Sequence, residues 1–317
     1  MIYNEIMVGI NLIVYISAFI VLWRGAGLII ASVDGFSRRL KLSSFAISFF
    51  VLGMLTSIPE FAVGLTAVAE RKPEIYVGNL IGGIIVLFLF VIPVLAIFGN
   101  GIRLCHDLSD KNLIFSFITV IAPAFITVDN TLTIAEGIIL IILYAALFYL
   151  IESKKGMLDN RNSNLMNVHS YSFNDVLKIL LGVALVFLSS NLIVEKTLYF
   201  ADVFKLPAFF ISLIVLSLGT NLPELSLAFS SILSGKKDIA FGDYLGSAAA
   251  NSFLLGLFII LGGGNVTISN NPLRLLIITG LGFILFYYFS RSRHDISKKE
   301  GLVLLCLYAI FIILEMV

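Results

Sequence analysis

The stretch Thr56-Ser57-Ile58-Pro59-Glu60 (TSIPE) lies in the middle of the apolar run SSFAISFFVLGMLTSIPEFAVGLTAVAE, residues 43–70. Neither its proline nor its carboxylate suits the interior of a buried helix. Proline removes an N–H and crowds the carbonyl four residues back, here that of Leu55. A charge at the centre of a bilayer costs at least roughly 2.5 to 3.5 kcal/mol on insertion scales. The same combination returns as Thr220-Asn221-Leu222-Pro223-Glu224 (TNLPE), in the middle of PAFFISLIVLSLGTNLPELSLAFSSILSG, residues 207–235, and there Pro223 frees the carbonyl of Gly219. From Thr56 to Thr220 the offset is 164 residues.

Composition sets the environment of both breaks. Of 317 residues, 59% are hydrophobic and 13% charged, and the mean hydropathy of +1.03 exceeds what a water-facing domain can carry. The chain is expected to be an integral membrane protein. With a net charge of +1 and its basic residues scattered between apolar runs, it implies no nucleic-acid partner. Cys105 and Cys306 have no metal-ligand or redox spacing, and His106, His169 and His294 all fall in polar connections, which argues against an intramembrane zinc site. The opening MIYNEIMVG has no basic leader and runs straight into an apolar segment, so the first helix is expected to be retained.

A helical crossing needs about 20 apolar residues. Clusters of charge, Gly and Asn divide the chain into about ten such segments, near 6–32, 43–70, 75–98, 112–128, 131–152, 174–202, 207–234, 239–262, 272–290 and 301–317. The polar stretch ESKKGMLDNRNSNLMNVHSYSFND follows the fifth and separates two halves of five, 1–152 and 174–317, with 153–173 as a cytoplasmic linker. Arg38, Arg39, Lys41, Arg103, Lys111, Lys154, Lys155, Arg161, Lys236, Lys237, Arg291, Arg293, Lys298 and Lys299 fall in one set of alternate connections, against Arg71, Lys72, Lys205 and Arg274 in the other. The positive-inside rule makes the first set cytoplasmic and places both termini outside.

Sliding the chain by 164 residues aligns KLSSFAIS (41–48) with KLPAFFIS (205–212), TSIPE with TNLPE, and GNLIGG (78–83) with GDYLGS (242–247), without a gap. Because each half holds an odd number of crossings, the second enters the membrane from the opposite side. The expected architecture is two inverted-topology repeats. Such repeats bring the second and seventh segments together near the midplane, where Glu60 and Glu224 can face each other. Two carboxylates with freed carbonyls and hydroxyls make an all-oxygen site of the kind hard cations take, Ca²⁺ above all. Without a cation, repulsion and desolvation favour protonation, so H⁺, Na⁺ and divalent ions compete for one site. The glycines of GNLIGG and GDYLGS allow close helix approach; Asn79 and Asp243 are either ligands or interhelical hydrogen-bonders, the second being favoured. Ser247 and Asn251, four apart, share a helix face.

The paired segments LTSIPE…GNLIGG and GTNLPE…GDYLGS resemble the two alpha-repeats of the sodium/calcium exchanger membrane domain, in the calcium:cation antiporter superfamily. The resemblance implies an all-α integral membrane fold of ten transmembrane helices with proline-broken helices 2 and 7. It implies a Ca²⁺ site from Glu60, Glu224 and the carbonyls of Thr56 and Thr220, with flanking Na⁺ sites involving Ser57, Asn221 and Ser247 and with Asn251 at a further central polar position. It also implies alternating access by sliding of the first and sixth helices. Four residues depart from the family pattern: Gly83 replaces a serine, Leu87 a polar ligand, Asn221 a serine and Asp243 an asparagine. An asparagine in the break is similar to the proton-coupled branches, so coupling to Na⁺ or H⁺ stays open. The absence of a large regulatory insertion suggests a prokaryotic exchanger in the plasma membrane with no cofactor; its oligomeric state stays open, a monomer included.

Other charged residues invite plainer expectations. Arg24 should snorkel or pair outside the site, Glu195 and Lys196 should lie near the outer interface, and Glu136 near an end of the fifth segment, outside any repeated motif. An intramembrane hydrolase would need a catalytic constellation such as H-E-x-x-H, and the chain carries none. A channel commonly builds its pore from several subunits, whereas internal pseudo-symmetry completes a site within one chain.

Overall fold

A computed structural model describes residues 2–37, 50, 53–104, 110–152, 173–222, 224–225, 238–239, 241–268, 272–291 and 295–316. The structure is mostly helical. Its elements in chain order are α1 (Ile2–Ser37), α2 (Gly53–Thr56), α3 (Ile58–Ala69), α4 (Pro73–Phe98), β1 (Ile102–Leu104), α5 (Asp110–Ile126), β2 (Thr131–Leu132), α6 (Ile134–Glu152), α7 (Phe173–Phe204), α8 (Ala208–Thr220), β3 (Asp238–Ile239), α9 (Phe241–Leu261), β4 (Val266–Thr267), α10 (Pro272–Arg291), β5 (Asp295–Ile296) and α11 (Lys298–Met316). Among the described residues six helices are long and apolar enough to cross a membrane: Ile6–Ile29, Pro73–Phe98, Ile134–Ile151, Leu177–Phe204, Tyr244–Leu261 and Leu273–Arg291. Only helices satisfy every backbone group within one apolar segment, which is why these runs fold as they do.

Burial separates a centre from a periphery. The spans in α4 and α9 are 89% and 72% buried, whereas those in α1 and α7 are 28% and 33% buried. The two inner helices are glycine-rich on the faces they turn to their neighbours. A β-carbon on Gly82 of α4 would meet the Leu213 carbonyl of α8 at 2.1 Å, and one on Gly53 of α2 would meet the backbone of Gly246 in α9 at 2.6 Å. The outer pair, α1 and α7, lie along each other with Gly25 and Gly182 at their crossing, where either β-carbon would press on the other's carbonyl at 2.8–2.9 Å.

The helix boundaries differ from the sequence expectation for local reasons. The segment placed at 131–152 begins its helix at Ile134 because Thr131 and Leu132 pair as β2, and the one placed at 239–262 begins at Phe241 because Asp238 and Ile239 form β3. Of the segments placed at 43–70 and 207–234, residues 43–49, 51–52, 223 and 226–234 lie outside the described residues, as do Cys105 and all three histidines.

Short strands tie the halves together. β1 pairs antiparallel with β5 (Ile102 with Ile296, Arg103 with Asp295), and β2 pairs antiparallel with β4 (Leu132 with Val266, Thr131 with Thr267). Adding 164 to Ile102 gives Val266, and adding 164 to Leu132 gives Ile296, so one pairing is the image of the other. β3 adds a parallel third strand beside β1 only. The helices after β2 and β5 open alike. Thr133 N–H donates to Glu136 Oε2 at 2.7 Å and Glu136 N–H to Thr133 Oγ1 at 3.4 Å; Ser297 and Glu300 make the same reciprocal bonds at 2.8 and 3.3 Å. These are capping boxes, satisfying N–H groups a helix start leaves free. Glu136 therefore lies in the first turn of α6 and recurs at the offset as Glu300, apart from the repeated proline-glutamate breaks.

Candidate functional site

Both proline-glutamate breaks give the backbone the same turn. Ser57, between α2 and α3, has φ −84° and ψ 12°; Asn221, at the end of α8, has φ −92° and ψ 4°. Each lies in the sparsely populated bridge region rather than in helical space. Ser57 N–H donates to Gly53 and Asn221 N–H to Ser217, both at 3.2 Å, while Phe61 and Leu225 donate back to Ser57 and Asn221 at 2.9 and 3.2 Å. A five-residue π-helical turn, Ser212–Leu216, directly precedes the second break. Such turns widen a helix locally and occur often at functional sites.

The glutamates end up deep in the molecule. Glu60 is 2% and Glu224 9% exposed. The two charges act on each other across the site. Each glutamate leaves its Oε2 without a partner. Lys196 pairs with Glu195 at 2.6 Å, and among the described residues no Lys or Arg forms an ion pair with Glu60 or Glu224. Arg24 is exposed. Breaking even with an unpaired buried charge requires a counter-charge or a proton.

On the two breaks and on the helices packed against them Ser57, Asn79, Ser212, Ser217, Thr220, Asn221, Ser247 and Asn251 are all buried, while Thr56 is partly exposed. Ser57 Oγ donates to the Gly53 carbonyl at 2.9 Å and lies 3.5 Å from Ser247 Oγ, joining α2 to α9. Thr220 Oγ1 donates to Asn79 Oδ1 at 3.3 Å, joining α8 to α4, so Asn79 acts here as an interhelical hydrogen-bonder. Asn221 Nδ2 donates to the Ser217 carbonyl at 2.8 Å and leaves Oδ1 unpaired; both polar atoms of Asn251 are unpaired. The side chain of Asp243 lies outside the described residues. Among the described residues no three His, Cys, Asp or Glu side chains gather as a metal cluster. The donors that do gather are oxygens, which suits a hard cation with flexible coordination.

Sequence reasoning missed Ser212 and Ser217. Ser217 stands one helical turn before Asn221, and its carbonyl receives both the amide and the backbone N–H of that residue. Its signal was the offset itself, since Ser217 is the counterpart of Gly53 in the first half.

Six helices long and apolar enough to cross a membrane, with two buried carboxylates at backbone breaks, are features that an ion transporter can use. The chain belongs to the sodium/calcium exchanger protein family, whose sequence profile matches residues 10–151 and 175–317. It is 24% identical over 309 residues to the putative antiporter CaxA of Alkalimonas amylolytica, covering 94% of this chain and 96% of that one. It is also 24% identical over 351 residues to the sodium/calcium exchanger MaX1 of Methanosarcina acetivorans, covering 97% and 99%. Among solved structures the fold resembles the sodium-calcium exchanger NCX_Mj, with a TM-score of 0.63, 21% identity and coverage of 95% and 96%. It resembles the H⁺/Ca²⁺ exchanger CAX as well, with a TM-score of 0.66, 17% identity and coverage of 96% and 84%. The protein is accordingly a multi-pass membrane antiporter of the calcium/cation exchanger family.

Proposed function

We propose that this chain exchanges Ca²⁺ for Na⁺ across the plasma membrane by alternating access, at a midplane site held by Glu60 and Glu224 with the carbonyls of Thr56 and Thr220. Ser57, Asn221 and Ser247 serve the coupling ions, and Asn251 completes the polar centre. The observation that carries this reading is the pair of buried carboxylate oxygens left without partners at equivalent points of two breaks. An exchange site needs that property: its charge must be unsatisfied until an ion or proton arrives, so that occupancy by one excludes the other. Unpaired Oδ1 atoms on Asn221 and Asn251 offer further oxygen donors.

The architecture we infer is ten transmembrane helices in two inverted repeats of five, 1–152 and 174–317, joined by a cytoplasmic linker, with both termini outside. The matched turns at Ser57 and Asn221, the matched capping boxes and the two strand pairings at one offset all support it.

A proton-coupled exchanger of Ca²⁺ or another divalent ion is the second reading, favoured by one feature. Where a hydroxyl oxygen could line the site at position 83, a glycine faces the amide nitrogens of Asn251 and Asn221 instead, which are donors and cannot ligate Na⁺.

The test is ⁴⁵Ca²⁺ uptake into proteoliposomes driven by an outward Na⁺ gradient, beside matched vesicles carrying only an outward proton gradient. Uptake with Na⁺ alone supports the first reading, and uptake with protons alone the second. Glu60→Gln and Glu224→Gln should each abolish uptake; full uptake in both variants would remove the site from these residues.

A further inference from the structure

The chain contains one tryptophan, Trp23, and it sits on α1, most of whose surface faces outward. Its indole Nε1–H donates to the carbonyl of Gly219 in α8 at 3.1 Å. That carbonyl is the one Pro223, lacking an N–H, leaves without its usual donor four residues on. One helical turn earlier on the same face of α1, Phe19 covers the same glycine: a β-carbon on Gly219 would lie 2.4 Å from the Phe19 ring. Phe19 is 6% exposed and its ring centroid is 6.2 Å from that of Trp23. Two aromatic side chains of a peripheral helix thus grip a single peptide, and the next residue is Thr220, whose hydroxyl holds Asn79.

The grip has no image in the other half. At the 164-residue offset Trp23 corresponds to Phe187, whose side chain has no N–H to donate, and Gly219 corresponds to Leu55. α7 instead reaches its broken helix through Ser190, whose hydroxyl is 2.7 Å from that of Thr66, nine residues past Ser57. The indole bond therefore acts on one side of the site only.

We propose that Trp23 is a positioning residue for the cation site: with Phe19 it holds the Gly219–Thr220 peptide in place, and cation binding at that peptide is felt at the indole. The inference rests on the exchange function proposed above. A hydrogen bond to a buried carbonyl contributes modestly, and losing it loosens the oxygen donors it orients without removing any of them. The consequence is weaker ion binding, with conversion of the bound site little affected.

The chain's single tryptophan makes this directly measurable. The purified protein is titrated with CaCl₂ in Na⁺-free buffer while tryptophan emission is followed, and ⁴⁵Ca²⁺ uptake is measured on the same preparation in proteoliposomes. The expected result is a saturable emission change whose midpoint lies near the KM for uptake and which Glu60→Gln abolishes. Trp23→Phe keeps the aromatic packing and removes the donor; its KM for Ca²⁺ should rise about fivefold with the maximal rate within about twofold of the original. Flat emission in a protein that transports overturns the proposal, as does a folded Trp23→Phe variant with an unchanged KM, including one whose maximal rate alone falls, which is the mark of a packing defect. Should Trp23→Phe fail to fold, the emission titration decides by itself. No uptake by the unmodified protein would overturn the exchange function, and this inference with it.

Discussion

Gly83 of α4 and Asn251 of α9 meet with no space for a β-carbon between them: one on Gly83 would lie 2.8 Å from Nδ2 of Asn251 and 3.1 Å from Nδ2 of Asn221. In sequence, Gly83 and Asn221 are separate departures from a serine. In space they are one exchange of volume, because the glycine makes room for the larger amide opposite.

Gly83→Ser alone should therefore overpack the site, lowering stability by about 1 to 3 kcal/mol and slowing uptake. Adding Asn221→Ser relieves the contact at 3.1 Å and leaves the one with Asn251 at 2.8 Å, so part of the lost stability should return. Thermal unfolding of the four-member cycle checks this; losses that merely add would show that the two positions do not share space.

Gly53 and Gly82 face a harder limit, since what their missing β-carbons would strike is backbone: Gly246 at 2.6 Å and the Leu213 carbonyl at 2.1 Å. Alanine at either should cost about 3 kcal/mol, because two helices must move apart. Gly9 and Gly27 of α1 have nothing within 4 Å, and alanine there should leave stability unchanged or raise it by up to about 1 kcal/mol through helix propensity. Thermal midpoints of the four variants in detergent test the contrast.

The parts of this structure legible in sequence were those with a strong local cost. A proline and a carboxylate inside an apolar run demand a reason, and TSIPE and TNLPE located both breaks, the offset and the carboxylates that the structure buries. What escaped notice were features whose cost appears only in three dimensions. Strands of two or three residues in β1 to β5 are too short to show periodicity, and Thr133-Glu136 and Ser297-Glu300 share little but their end residues. Nothing along the chain announces that Trp23 meets Gly219, 196 residues away. Ser217 looked like a small residue in an apolar helix, although its carbonyl anchors Asn221.

The strand pairing of Thr131 with Thr267 offers a covalent test of how the halves meet. Directly opposed antiparallel residues have Cα atoms about 4.5 to 5.5 Å apart, within the range a disulfide spans. Thr131→Cys with Thr267→Cys should form a bond on mild oxidation, holding the two halves together on a denaturing gel after cleavage within 153–172. Since the bridge only fixes a pairing that the fold already makes, uptake should continue in the bridged protein. Failure to bridge would contradict the register, and bridging that stops uptake would mean that this face must open during the cycle.

Two unpaired carboxylates in the interior should make the ion-free protein less stable than its packing allows. Glutamine at position 60 or 224 keeps the shape and removes a charge that no basic residue is seen to offset, so either variant without Ca²⁺ should unfold at or above the temperature of the unmodified protein. The response to ion should run the other way. A ligand bound only by the folded state stabilises it by about 2.7 kcal/mol at a hundredfold excess over Kd. Ca²⁺ should therefore raise the unfolding temperature of the unmodified protein and leave Glu60→Gln and Glu224→Gln unmoved. Differential scanning with and without CaCl₂ separates the two effects: a variant that loses stability without ion would show that the carboxylate is held by a partner, and one that still responds to Ca²⁺ would show that the ion binds elsewhere.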